Sequence, residues 1–302
     1  MIGAFMARIA GADGIAAPLR HAAFRHIWLA SVLSNLGILI QGVGAAWAMT
    51  QMSSSADRVA LVQTALSLPV MLIAMPAGAI ADMYDRRIVA LVALGIAFAG
   101  ATALASLAWL GLVTPNLLLA LCFAVGSGMA LMGPAWQSSV IEQVPPETVP
   151  AALALNGISY NIARSIGPAI GGIVVAAAGA VAAFALNAVL YLPLITALFL
   201  WKRVAEPSRL PPEKLRRAIV SGVRYIANSP SIKIVLARTL VVGVLGSAIL
   251  ALMPLVTRDL LQGGAPLYGA LLGAFGIGAV LGALNLTELR KRLSAEAAIS
   301  LC

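Results

Sequence analysis

The sequence predicts an all-α protein that crosses a membrane many times, and three observations lead there. First, 61% of the residues are hydrophobic, only 10% are charged, and mean hydropathy is +0.97. A soluble domain carries roughly 25% charged residues, so lipid must cover much of this surface. Second, apolar runs of about 20 residues, the length that crosses the hydrocarbon core as a helix, recur along the chain. Third, the basic residues behind the net charge of +9 fall in short clusters between those runs. That is the imprint of membrane topology rather than a nucleic-acid surface, and no nucleic-acid partner is expected.

The elements follow in chain order. Residues 1–26 mix Arg8, Asp13, Pro18 and Arg20 with short apolar stretches and offer no small-residue cleavage site, so they read as an N-terminal segment before a retained first span. Eight spans are expected at 27–49, 59–81, 88–110, 116–139, 151–177, 181–201, 234–256 and 266–287. Segments such as Val89–Leu94 lack the alternation that a barrel strand requires. If the spans alternate, Arg8, Arg20, Arg25, Arg86, Arg87, the basic residues of 202–233 and Arg290–Arg292 share one side, against Arg58 and Arg258 on the other. The positive-inside rule then puts the N-terminus in the cytoplasm, and a multi-pass place in a bacterial inner membrane is the expectation. The loop with Glu142 and Glu147 falls on the basic side without a basic residue of its own.

The stretch 202–233 is the longest polar one. After Pro207, Pro211 and Pro212 it places Leu215, Ile219, Val223 and Ile226 at helical spacing, an amphipathic helix for the cytoplasmic face. It divides a first bundle of six helices, 27–201, from a partial second one, 234–302. An echo supports this division. Gly78-Ala79 precedes Arg86-Arg87 at the spacing by which Gly282-Ala283 precedes Arg290-Lys291, as in parallel six-helix repeats.

Little in the chain is equipped for bond-making chemistry. His21 and His26 precede the first span, Asp82, Asp85, Glu142 and Asp259 sit at span ends or in loops, and no phosphate-binding Gly-Lys-Ser/Thr loop occurs. Cys122 lies in an apolar run and reads as a packing residue, and Cys302 is terminal. No enzyme, metal site or cofactor is expected.

Two motifs carry mechanism. In Gly78-Ala79-Ile80-Ala81-Asp82-Met83-Tyr84-Asp85-Arg86-Arg87, a glycine for close helix approach, an acid at a helix end and a basic pair make a breakable latch. In Ala163-Arg164-Ser165-Ile166-Gly167-Pro168-Ala169-Ile170-Gly171-Gly172, Pro168 deletes a backbone hydrogen bond and the glycines permit close packing at the bend. Arg164 lies near mid-span, where a charge costs at least ~2.5 kcal/mol, so it should face protein or water. It either lines a cavity or gate together with Asn161, or is a structural residue bonded to helix-end carbonyls. Asn35, Gln41 and Asn187 are candidate cavity-lining residues or, alternatively, interhelical glue.

These residues resemble the major facilitator superfamily. Gly78, Asp82, Arg86 and Arg87 match its loop motif between the second and third helices, and Gly167, Pro168, Gly171 and Gly172 match the fifth-helix motif of its exporting members. Gly126-Ser127-Gly128, Gly133-Pro134-Ala135-Trp136-Gln137 and Asn161-Ile162-Ala163-Arg164 are similar to the branch of enterobactin exporters and secretion effectors. The resemblance implies a major facilitator fold with a complete first bundle plus about two helices of the second. It also implies efflux of a small amphipathic organic molecule, of siderophore or drug type, by alternating access. Two departures bear on coupling. Cys122 stands where many proton-coupled exporters have arginine, and no acid lies deep in a span, so protons as coupling ion rest on the resemblance alone. The family has twelve spans, so the expectation is of a C-terminally truncated chain, with a non-transporting membrane fragment or scaffold as the alternative.

Overall fold

The computed structural model describes residues 14–203 and 224–292 and is helical almost throughout. After a short 3-10 turn at Ala17–Arg20 come α1 (Ala22–Met52), α2 (Ala56–Met83), α3 (Arg86–Trp109) and α4 (Pro115–Val140). Helical residues then run unbroken from Val149 to Leu200, a stretch twice the length needed to span. Within it Gly179 has φ 78° and ψ 174°, a conformation that only glycine adopts freely, so the stretch is two legs, α5 (149–178) and α6 (180–200). The last elements are α7 (Pro230–Leu255), a single π-turn at Val256–Leu260, and α8 (Ala265–Arg292). Six helical stretches among the described residues are long and apolar enough to cross a membrane, the kinked 149–200 stretch counting as one. Its two legs account for two of the expected spans. In α8 the described apolar part runs from Ala265 to Gly278. The amphipathic helix expected over 213–227 lies outside the described residues except at its end.

Local chemistry sets the helix ends. Asp85 caps α3 by accepting hydrogen bonds from the N–H groups of Arg87 at 2.9 Å and Ile88 at 3.2 Å. Thr114 caps α4 through the Leu117 N–H at 3.3 Å, and Pro115 opens that helix where a missing donor costs nothing.

Packing follows glycine, as it must where lipid gives helices no hydrophobic reason to associate. Gly126 and Gly128 wedge α4 between α2 and α3. A Cβ on Gly126 would meet the Leu66 carbonyl at 2.5 Å, and one on Gly128 the Ala93 carbonyl at 2.6 Å. The two legs lie on α1 in opposite senses. Trp28 donates to the Leu155 carbonyl at 3.0 Å and Asn35 to Ser159 Oγ at 3.3 Å, while Gly171 rests against Ile40 and Val43, so α5 runs parallel to α1. Beyond Gly179 the order reverses, with Gly44 against Ala183 and Gly37 against Asn187. The chain therefore doubles back at one residue. All helix ends of the first bundle fall at two levels. One, the charged end, gathers Asp85, Arg86, Arg87, Glu142 and Arg203, and the other gathers Thr50, Gly179 and Arg258.

Gly128→Leu is expected to cost about 1–3 kcal/mol through overpacking against α3 backbone. Gly95→Ala, where an added Cβ meets nothing within 4 Å, should be neutral or stabilising by up to about 1 kcal/mol. Melting temperatures of the purified variants in detergent check both.

Candidate functional site

Three features share α5: a cavity, a seam with α8 and, at the helix's start, the charged end. The register of α5 separates them. Leu155, Ser159, Ala163, Gly167 and Gly171 form the buried stripe against α1. Leu153, Asn156, Gly157 and Tyr160 line a cavity of about 490 Å³. Its other walls are Ser31, Ser34 and Asn35 of α1, Met129, Met132, Gly133, Trp136 and Gln137 of α4, Leu94 of α3 and Leu194 of α6. The lining carries hydroxyls, amides, thioethers and two aromatic rings, with no formal charge, a composition suited to an amphipathic organic molecule. Asn156 Oδ1 is buried without a partner among the described residues, which leaves the cavity an unused acceptor.

The seam takes the next stripe. A Cβ on Gly172 would meet the Ala265 carbonyl at 2.7 Å and Gly269 Cα at 2.9 Å, and one on Gly269 would meet the Pro168 carbonyl at 2.6 Å. A Cβ on Gly276 would meet the Arg164 carbonyl at 2.6 Å. That carbonyl is the one whose helix partner Pro168 removes, since proline has no N–H to return four residues back. Gly269, Gly273 and Gly276 thus present bare backbone to α5 at helical spacing, and the two helices touch main chain to main chain. Sequence reading identified the α5 half of this seam but not its α8 half, although Gly269-x3-Gly273-x2-Gly276 is a small-residue pattern that could have been found.

At the end opposite the charged cluster the seam is reinforced. Trp47 of α1 stacks on Tyr268 of α8 with ring centroids 6.4 Å apart and planes at 22°. Arg258, in the π-turn, donates to the Thr50 carbonyl at the end of α1 and to Asp259 Oδ1 at 2.6 Å.

The expected site residues are dispersed. Asn35 lines the cavity. Gln41 and Asn187 do not: both are fully buried and joined by a 2.5 Å hydrogen bond between α1 and α6, so here they act as interhelical glue. Asn161 is exposed and donates to the Gly157 carbonyl within its own helix at 2.9 Å. Arg164 stands one turn beyond Tyr160, half-buried, its guanidinium 6.0 Å from the centroid of the Phe275 ring on α8. It bridges the cavity stripe and the seam through a cation–π contact, which meets the need of an intramembrane charge to face protein.

The loop motif is organised differently from its expectation. A Cβ on Gly78 meets nothing within 4 Å. Asp82 is exposed and has no hydrogen-bond or ion-pair partner among the described residues. The acids that engage are Asp85, placed as the α3 cap, and Glu142. Arg203 bonds Glu142 through Nε at 2.5 Å and Nη2 at 2.9 Å, and Asp85 at 2.7 Å. Arg86 bonds Glu142 at 2.8 Å and the Ser138 carbonyl at 3.2 Å. Arg87 donates to the Leu198 carbonyl at 2.8 Å and to the Phe199 carbonyl, closing the end of α6. Glu142 therefore draws its cations from two neighbouring segments, which accounts for an acidic loop on the basic side. Burial works to raise the Asp85 pKa, but the hydrogen bonds from Arg203 and the α3 amides and the arginine's charge outweigh it and hold the value below the ordinary range. The Arg203 pKa is raised, chiefly by its hydrogen bonds with Glu142.

A family model described as transmembrane secretion effector matches residues 13–302. The chain belongs to that family, a branch of the major facilitator superfamily. It is 27% identical over 213 residues to the multidrug efflux pump Tap of Mycobacterium tuberculosis, covering 67% of this chain and 50% of that protein. It is 28% identical over 268 residues to the enterobactin exporter EntS of Shigella flexneri, covering 88% of this chain and 62% of that protein. It is also 23% identical over 272 residues to the staphyloferrin A transporter of Staphylococcus aureus, covering 88% and 67%. The chain thus spans half to two thirds of the length of these relatives. Family and relatives are transporters, not enzymes.

Arg203→Gln leaves two carboxylates without their shared cation and is expected to cost about 2 kcal/mol, read as a lower melting temperature in detergent. Asp85→Asn carries a pH signature. Because the folded pKa lies below the ordinary value of about 3.9, the stabilisation is present above that value and lost as pH falls through the folded one. The gap in melting temperature between wild type and Asp85→Asn should be full near neutrality and close in acid.

Proposed function

We propose that this protein exports a small amphipathic organic molecule from the cytoplasm across a bacterial inner membrane by alternating access. One observation carries the reading: the uncharged, partly aromatic cavity and the glycine seam lie on adjacent stripes of the same kinked helix, α5. A movement of α8 over α5 would then reshape the cavity wall directly. In the described arrangement Trp47–Tyr268, Arg258–Thr50 and Gly172–Gly269 hold the two parts together at the end opposite the charged cluster. A ligand would reach Trp136, Tyr160 and Asn156 from the charged end. With the N-terminus in the cytoplasm, that is the cytoplasm-facing state of the cycle.

In this reading 27–201 is the first bundle, 202–233 the linker and 234–302 the start of the second bundle. The relatives supply the substrate class, siderophore or drug type, since one is named an enterobactin exporter and another a multidrug efflux pump. Arg164 would serve at the junction, its cation–π contact with Phe275 being weak enough, ~0.5–2 kcal/mol, to break and reform each cycle. Asp82, exposed at the end of α2, would meet the second bundle in another state. Protons would be the coupling ion by likeness to the family.

Accumulation of a siderophore or dye in cells lacking their main exporters tests this. Expression of the chain should lower accumulation, Gly172→Leu should restore it to the level of cells without the protein, and Gly95→Ala, outside the cavity wall and with nothing within 4 Å of an added Cβ, should leave export intact. Equal export by the wild type and Gly172→Leu, both present in the membrane, would refute the role given to the seam.

A further inference from the structure

A second hollow lies on another face of α1 from the cavity. It is a groove of about 960 Å³ between α1 and α6, opening at the charged end. Its walls are apolar, with Leu29, Leu33, Val189 and Leu192 along its length. Val189 and Leu29 are 57% and 51% exposed, so these side chains are available to an occupant. At the mouth stand His26, from the first turns of α1, and Lys202, two residues after α6 ends.

The basic groups beside this mouth are otherwise committed. Arg87 covers the last carbonyls of α6, and Arg203 is held by Glu142 and Asp85. Lys202 lies between Trp201, which packs inward, and Arg203, which turns back to the acids. Lys202 and His26 are exposed, and neither has a hydrogen bond or ion pair among the described residues. Neither is needed to cap α6 or to balance an acid. Helix ends stand at the depth of lipid headgroups, so a molecule whose tails fill the groove brings its phosphate level with these two side chains.

We propose that the groove between α1 and α6 binds an anionic phospholipid, its acyl chains along Leu29, Leu33, Val189 and Leu192 and its phosphate between His26 and Lys202. Tails alone would accept any lipid. The uncommitted basic pair selects a net negative headgroup, because a zwitterionic choline would bring its own cation beside Lys202. The site is independent of export, since it uses the face of α1 that turns away from Ser31 and Asn35.

Native mass spectrometry of the full chain, released from detergent with added phosphatidylglycerol, phosphatidylcholine or inorganic phosphate, tests this. The wild type should retain phosphatidylglycerol over phosphatidylcholine. Retention should fall about fivefold for Lys202→Gln, and also, by less, for His26→Gln. Thr196→Trp, which fills the groove and spares both basic groups, should also abolish it. Lys233→Gln, a basic residue on α7, should leave it unchanged. Retention of phosphatidylglycerol undiminished in the Lys202→Gln/His26→Gln double variant would overturn the proposal. So would equal retention of phosphatidylcholine, or full displacement of the lipid by equimolar inorganic phosphate.

Discussion

Backbone contact at α5 is the constraint on which the rest of the arrangement depends. Lipid gives apolar helices no reason to associate, so position comes from how near two main chains can come. On one side Gly167 and Gly171 let α1 in, with an added Cβ at Gly171 only 3.1 Å from Ile40 Cα. On the other, Gly172 meets Gly269 of α8 at backbone distance. Held on two sides, α5 leaves a third stripe unpacked, and that stripe, Asn156, Gly157 and Tyr160, is the cavity wall. Pro168 serves the same end by freeing the Arg164 carbonyl at the point where Gly276 crosses.

The charged end follows a second rule. Five ionised groups lie together there, and each has partners. Arg203 joins the end of α6 to the loop before α3 and the end of α4, while Arg87 returns from α3 to α6. Among the described residues this lashing joins helix ends of the first bundle and the start of the segment that follows it, as the proposed movement of that bundle as one piece would need. Among the described residues the contacts of α7 and α8 with it are of another kind: glycine against backbone, a stacked pair of rings, a cation–π contact and an arginine on a carbonyl. They are short in reach and few in polar bonds, as the proposed parting and reforming of this surface would need.

The helices were legible in the sequence because span length needs only composition, and hydropathy marks it without ambiguity. The hairpin at Gly179 was legible as two runs, though not as a reversal at one residue, since glycine abounds elsewhere in the chain. Side-chain roles were less legible. Helices that are apolar all round carry no amphipathic stripe to tell lipid from protein. Gln41 and Asn187 could therefore not be told from cavity residues, and Trp136 and Tyr160 could not be picked from the other aromatics. In the loop motif Asp82 stood out by likeness, while Asp85 and Glu142 engage because one immediately precedes a helix and the other lies within reach of Arg86 and Arg203. That second fact depends on distances between segments far apart in the chain. The α5 motif was readable because proline and paired glycines have few other uses inside a span.

The central claim is that the described arrangement is open to one side of the membrane and closed to the other. The most direct measurement is thiol accessibility in oriented membrane vesicles, on a background lacking Cys122 and Cys302. A cysteine placed at Tyr160, in the cavity, and one at Trp47, under the Tyr268 ring, would each be exposed to a membrane-impermeant thiol reagent from either side. The account predicts that Tyr160→Cys reacts rapidly from the side of the charged end and slowly from the other, and that Trp47→Cys is protected from both. Equal reaction of Tyr160→Cys from the two sides would contradict it, as would rapid labelling of Trp47→Cys.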